Sequence, residues 1–220
     1  DFQSVLTQIK ALPQQHSIVL MTHLAVADSS IDLTRQQLAL FSQITQGLPY
    51  PKSIANSAAI FQVPESHEYW NRTGIMLYGS SPFMHRNASS CGLQVVMRLE
   101  CYVISLRTIM TGQCVGYGFT WCAPCTTKVA MIGAGYGDGF PRHIVDGFVW
   151  IKNARAPIIG RVSMDMIAID VTHIDIVCLG DEVELWGEHI PIDEVAQKAG
   201  TLSYELFCQL TSRVERIDYE

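Results

Sequence analysis

No run of apolar residues in this 220-residue sequence approaches the roughly 20 that a membrane-spanning helix requires, so no helical span is expected within it. Basic residues are few, 15 Lys and Arg against 21 Asp and Glu, for a formal net charge of -6. That balance argues against a nucleic-acid partner, because phosphate backbones need a basic surface. Lysine is scarcer still, confined to Lys10, Lys52, Lys128, Lys152 and Lys198. The cysteines (91, 101, 114, 122, 125, 178 and 208) are odd in number and lack the spacing of a disulfide framework. No charged-then-apolar leader opens the sequence, so a reducing cytoplasm is the expectation. No second C-x-x-C and no H-x-x-x-H accompanies Cys122-Ala123-Pro124-Cys125, so no metal site is expected. What is present is globular: 48% hydrophobic and 16% charged residues, enough apolar surface to bury a core. The expected partner is a small molecule.

Along the chain, Phe2, Val5, Leu6 and Ile9 recur at helical spacing before Pro13. The continuous apolar run Ile18–Met21 predicts a parallel strand covered on both faces. Ser29 or Ser30 can cap a helix whose predicted buried face is Ile31, Leu38, Phe41 and Ile44, closed by Gly47 and Pro49. Short strands are predicted around 53–55 and at Ile75–Tyr78. The rhythm is that of three βα units, too few for a closed (β/α)8 barrel. Residues 80–93 are polar and turn-rich, a fair linker. Alternation then begins at Val95 and predicts a long half-exposed strand, followed by strands at 113–119, 126–132, 147–151, 157–162, 166–171, 182–186 and 213–218. Helices are predicted at about 192–199 and 203–210.

The most unusual stretch is Gly133-Ala134-Gly135-Tyr136-Gly137-Asp138-Gly139, which follows the apolar run Val129–Ile132. Glycine at every second position permits positive φ and close backbone approach, and one phenol stands in the middle. A glycine-rich hairpin with a packing tyrosine accounts for it, and so does a loop presenting Tyr136 for proton transfer. As a nucleotide loop it fails, because the last position of the G-x-G-x-x-G register is Asp138. His23 follows a predicted strand, where a histidine is either a satisfied core residue or one of the strand-end groups that carry chemistry in parallel α/β folds. Asn56-Ser57 and Gly74-Ile75 offer a hydroxyl and uncovered amides that suit a phosphate. Arg72 could be a phosphate ligand, a ring-nitrogen donor or a surface charge. Gly160–Met166 reads either as a strand with a polar edge or as a ligand-facing bend with backbone donors near Met164. Trp121-Cys122-Ala123-Pro124-Cys125 has the spacing of a thiol redox motif, but the residues after it continue as β, so no helix would activate Cys122 and a turn is expected.

Taken together and in order, these strings resemble the alanine racemase family. The matching stretches are MTHLAVAD (21–28), ANSAA (55–59), RTGIMLYG (72–79), VGYGFTW (115–121), GAGYGDGFPRH (133–143), GRVSMDMIAIDVT (160–172), GDEVELWGE (180–188), IPIDEVA (190–196) and SYELFCQLTSRV (203–214). The resemblance implies an α/β plus all-β chain, with the last three βα units of a (β/α)8 barrel in residues 1–92 and a β-rich C-terminal domain in 93–220. It implies pyridoxal 5'-phosphate as cofactor and a cytoplasmic homodimer with active sites at the interface. By the same resemblance, His23 lies beside the cofactor ring, Ser57, Gly74 and Ile75 hold its phosphate, and Arg72 donates to the ring nitrogen. Tyr136 is the base that takes the α-proton of L-alanine from the other subunit, and the Met164 backbone meets the substrate carboxylate. The implied reaction is interconversion of L- and D-alanine by two bases, supplying D-alanine for peptidoglycan. The family's second base is a lysine in a K-A-x-x-Y-G string, and none of the five lysines here sits in one. The early substrate-binding arginine also lacks a counterpart, and Leu24, Thr73, Val96, Cys122 and Cys125 stand where other residues are expected. The expectation is the C-terminal portion of such an enzyme, inactive alone. The alternatives are a dimerisation remnant without catalysis, or a thiol–disulfide oxidoreductase at Cys122/Cys125.

Overall fold

The computed structural model describes residues 1–13 and 17–218. The chain divides into two compact units, residues 1–76 and 77–220. In the first, Asp1 caps α1 (Phe2–Lys10) by accepting from the Ser4 amide, and Leu6 is the residue α1 buries. β1 (Leu20–Met21) and β2 (Lys52–Ser53) pair in parallel around α2 (Ile31–Ile44), and the short α3 (Ser57–Gln62) follows. Leu20 is buried, but Val19 and Met21 are exposed, so the described residues cover one face of β1 and not the expected two.

The buried stripe of α2 also differs from expectation. Ser30 caps it, but Ile31 and Ile44 are exposed, while Thr34 and Thr45 are buried and Leu38 and Phe41 half-buried. Each threonine donates its hydroxyl to the carbonyl four residues back, Ser30 for Thr34 and Phe41 for Thr45, so it enters the apolar face with its polar group satisfied. Ile75–Tyr78 is a 3-10 turn and not a strand. The third strand position is taken earlier, where Trp70 bridges Ser53 in parallel. The amides of Trp70 and Arg72 make the ladder bonds to Lys52 and Ala55, after which the chain leaves the sheet.

The second unit is built on a six-stranded antiparallel sheet in the order β8-β7-β10-β3-β6-β9. The strands are β3 (Leu99–Ile109), β6 (Thr127–Ile132), β7 (Phe148–Ile151), β8 (Ala154–Pro157), β9 (Ile167–Asp170) and β10 (Glu182–Trp186). Ile158, just past β8, bridges Ile169 of β9, so the two edges meet and the sheet closes on itself, which removes the edges that would invite further pairing. Alternation puts Leu99, Cys101 and Val103 of β3 inside with Ile132, Ile167, Val183 and Leu185. α4 (Ile192–Ala199) and α5 (Ser203–Gln209) contribute Val195 and Leu206 to the same core.

β3 starts at Leu99 and not at Val95, since Val95 and Val96 are exposed. The strand predicted at 113–119 breaks after β4 (Cys114–Val115), because Gly116 and Gly118 take φ of 78° and 73° and turn the chain through Tyr117–Phe119 into β5 (Trp121–Cys122). Residues 157–162 are displaced by β8, which starts earlier. Lys152 and Asn153 both take positive φ and close a two-residue hairpin from Ile151 to Ala154. The expected strand at 213–218 is absent, and turns occupy its beginning. Among the described residues no helix is long and apolar enough to cross a membrane.

Candidate functional site

Each unit assembles part of the predicted constellation. In the first, β1 and β2 end side by side and Arg72 reaches across their termini. Its Nη1 donates to the carbonyl and hydroxyl oxygens of Ser53, 2.9 and 2.8 Å away, and its Nη2 donates to the Thr22 carbonyl at 2.9 Å. Nη2 also lies 3.2 Å from the Ile54 carbonyl and 3.4 Å from His23 Nδ1. Four of the five guanidinium N–H bonds are thereby spent on the scaffold. His23 is exposed, and its loop is fixed by Gln37, which sequence reasoning misses, and by Asn56, which it reads only as part of a phosphate site. Gln37 donates to the His23 carbonyl at 2.7 Å and accepts from Ala25, while Asn56 donates to Leu24. The signal available for Gln37 was its position between Thr34 and Leu38 on α2.

Ser57 opens α3, with Asn56 as its cap. The Ser57 hydroxyl accepts from the Gly74 amide at 2.8 Å. Ile75 begins the 3-10 turn, where the first amides have no acceptor within the turn itself. The Ser57 hydroxyl and the Gly74 amide thus meet beside the start of that turn, and Gly74 carries no side chain to cover them.

In the second unit, Tyr136 and Met164 are brought together by main chain. Tyr136 N donates to Ser163 O at 3.0 Å and Gly137 N to Met164 O at 2.8 Å. The Asp138 carboxylate accepts from the Gly135 amide at 2.9 Å, tying the loop to itself. A Cβ at Gly135 would stand 2.3 Å from both the Ser163 and Met164 carbonyls, so close approach is what demands glycine there. Of the four glycines in the string only Gly139 has positive φ, at 105°. Phe140, fully buried and stacked on Trp186 at 6.1 Å, anchors the loop's far end in the core. Tyr136 is left 38% exposed, with the Arg142 guanidinium 5.9 Å from its ring centre. Arg213, Asp165 and Thr211 also bear on this loop; Asp165 lies in the Gly160–Met166 string and the other two in the 203–214 stretch, but the sequence alone assigns none of them a role here.

The cysteine expectations are corrected. Cys122 is disulfide-bonded to Cys114 across the β4–β5 hairpin, and Cys125 is a free, exposed thiol, so the Cys122/Cys125 couple does not form. The antiparallel register sets Cys114 directly opposite Cys122, a pairing that sequence spacing alone did not suggest.

Comparison with known proteins gives a consistent answer. The family described as alanine racemase, C-terminal domain, matches residues 96–218, and alanine racemase, N-terminal domain, matches residues 1–82. The alanine racemase of Nitrosospira multiformis is 43% identical over 99% of this chain and 62% of its own length. The biosynthetic alanine racemase of Pseudomonas aeruginosa superposes with a TM-score of 0.92 at 40% identity, over 98% of this chain and 61% of that one. The alanine racemase of Bartonella henselae, solved with covalently bound pyridoxal phosphate, superposes with a TM-score of 0.85 at 31% identity, over 99% and 62%. The chain therefore spans about three-fifths of the length of these relatives. With one family match alone covering more than half of its residues, and a second covering most of the remainder, the chain belongs to the alanine racemase family.

Proposed function

We propose that this chain is the C-terminal portion of a pyridoxal-phosphate-dependent alanine racemase, in which residues 1–92 are the last three βα units of the barrel and 93–220 the β-rich domain. The observation that supports the reading is Arg72: its Nη atoms donate to the Ser53 and Thr22 carbonyls and to the Ser53 hydroxyl, which fixes the guanidinium at the strand ends, where Nε–H would serve as the donor to a ligand. A guanidinium cannot act as an acceptor and stays protonated. It therefore suits an unprotonated ring nitrogen, which would weaken the ring as an electron sink and so favour reprotonation at Cα over transamination.

The remaining residues fit the same group. The Ser57 hydroxyl with the Gly74 and Ile75 amides would hold the phosphate, with His23 beside the ring. When bound, pyridoxal phosphate supplies the electron withdrawal that acidifies the substrate Cα–H. Tyr136, contributed from the other subunit of a homodimer, would take that proton from L-alanine, and the backbone at Met164 would meet the carboxylate. The second base and cofactor-bonding lysine would come from the part of the relatives that this chain does not span. The product would be D-alanine for peptidoglycan, made in the cytoplasm.

The test is a chimera joining the unmatched N-terminal part of the Nitrosospira multiformis relative to residues 1–220. The expected result is solvent deuterium entering Cα of alanine, with Tyr136→Phe lowering the rate by at least about 100-fold, the usual scale of a lost general base. A folded chimera that binds pyridoxal phosphate without exchanging the Cα proton would overturn the reading.

A further inference from the structure

The Tyr136 loop is gripped from a second side by the C-terminal residues. The Arg213 guanidinium lies between two carboxylates: Nε is 3.3 Å from Asp138 Oδ1, and Nη2 donates to Asp165 Oδ1. Asp138 already accepts from the Gly135 amide, and Asp165 directly follows Met164, whose carbonyl accepts from Gly137. Thr211 adds two bonds, its hydroxyl to the Gly137 carbonyl at 2.9 Å and its amide to the Asp138 carbonyl at 3.3 Å. The fit is close: a Cβ on Gly137 would come within 2.5 Å of Arg213 Nη1, and one on Gly139 within 2.5 Å of the Gln209 carbonyl.

We propose that Arg213 is a positioning residue, which locks the Tyr136 turn and the Met164 turn into one rigid body by bridging Asp138 to Asp165. The link to proton transfer rests on the function proposed above, while the lock itself does not. A planar guanidinium suits the task because its spread donors address two carboxylates at fixed angles, where the three rotatable donors of a lysine ammonium would fix no angle between them. The consequence for chemistry is that the phenol and the substrate-facing backbone keep a constant separation. An ångström of play there would cost far more in rate than in stability.

Two measurements test it. The first is amide hydrogen exchange in the 220-residue chain, reading Tyr136 N and Gly137 N against Val103 N in β3. Arg213→Met is expected to speed exchange at the two loop amides at least about tenfold and leave Val103 unchanged. Arg213→Lys should fall between, and Asp165→Asn, which alters only a half-exposed surface carboxylate, should reproduce part of the effect. Unchanged exchange at Tyr136 and Gly137 in both Arg213→Met and Asp165→Asn would sink the proposal. The second uses the alanine-exchanging chimera. Arg213→Met should lower kcat with KM little altered, and raise the deuterium isotope effect for Cα-deuterated L-alanine but not for the D-enantiomer. Equal changes in both directions would overturn the positioning role. A chimera inactive for other reasons leaves the exchange measurement to decide the lock.

Discussion

At the scale of single residues, the glycine string shows how two kinds of constraint can look alike. Gly135 is needed for space and not for φ, since any Cβ would collide with two carbonyls. Gly135→Ala should therefore cost roughly 1–3 kcal/mol, the usual scale of overpacking, whereas Gly74→Ala, whose Cβ would sit 3.5 Å from the Ser57 hydroxyl, should cost under about 0.5 kcal/mol. Thermal unfolding of the two variants checks the contrast. Cys101 gives a pH-dependent counterpart. Burial inside the closed sheet, with the Asp138 charge as a second cause, pushes its thiol up to about 12 from an ordinary value near 9. The folded state thus keeps a proton that the unfolded state releases. Its stabilisation is complete below about pH 9 and is lost as the pH climbs toward 12, with a limiting slope of about 1.4 kcal/mol per pH unit. Denaturant titrations at pH 8 and 10.5 should show this loss, and Cys101→Val, which keeps the volume and removes the proton, should flatten it.

At the scale of elements, the β4–β5 hairpin couples covalent and packing effects. Its disulfide closes a short loop, and the hairpin lays Val115 and Trp121 over Val129, Ile159 and Ala168 on the sheet face away from the main core. Gly116 sits against the Arg161 backbone, and Gly160 against Val115. Reducing Cys114–Cys122 with a dithiol, or substituting Cys122→Ser, should cost about 2–3 kcal/mol on the chain-entropy scale for so short a loop. Denaturant midpoints with and without reductant measure it. This hairpin also marks where sequence reading ran out. β3 was legible from the alternation of Leu99, Cys101 and Val103, and β6 and β10 from apolar residues bounded by turn signals, because both patterns need only local information. The Lys152–Asn153 turn was not, because neither residue carries the glycine that usually announces positive φ. The same limit hid the disulfide and Arg213, since both depend on which distant backbones fold together. In the site, His23, Arg72, Ser57 and Gly74 drew attention because they sit at strand ends or open a helix. Gln37 lay unseen, and Asn56 was legible only beside Ser57, because their task in the His23 loop is to satisfy backbone groups of a distant segment.

At the scale of the whole molecule, the two units differ in how completely each buries its own strands. Residues 77–220 close a six-stranded sheet around Trp186, Phe140 and the aliphatic side chains of β3, β9 and β10, leaving no open edge along the bridge from Ile158 to Ile169. Residues 1–76 have two short parallel strands and expose Met21 on β1, Val19 just before it, and Val5 and Ile9 on α1. Parallel strands normally need both faces covered, so the first unit should be the weaker, and unfolding should depart from two-state behaviour. The tryptophans divide usefully between them, with Trp70 in the first unit and Trp121, Trp150 and Trp186 in the second. In urea, a variant retaining only Trp70 should report an earlier midpoint than one retaining only Trp186, and amide protection should vanish from β1 and β2 before β3 and β6. Joining to the chain the part of the Nitrosospira multiformis relative that it does not span should raise the Trp70 midpoint and leave that of Trp186 in place. Coincident midpoints in the 220-residue chain would mean that the exposed apolar face of β1 costs residues 1–76 nothing, and that their stability is set elsewhere.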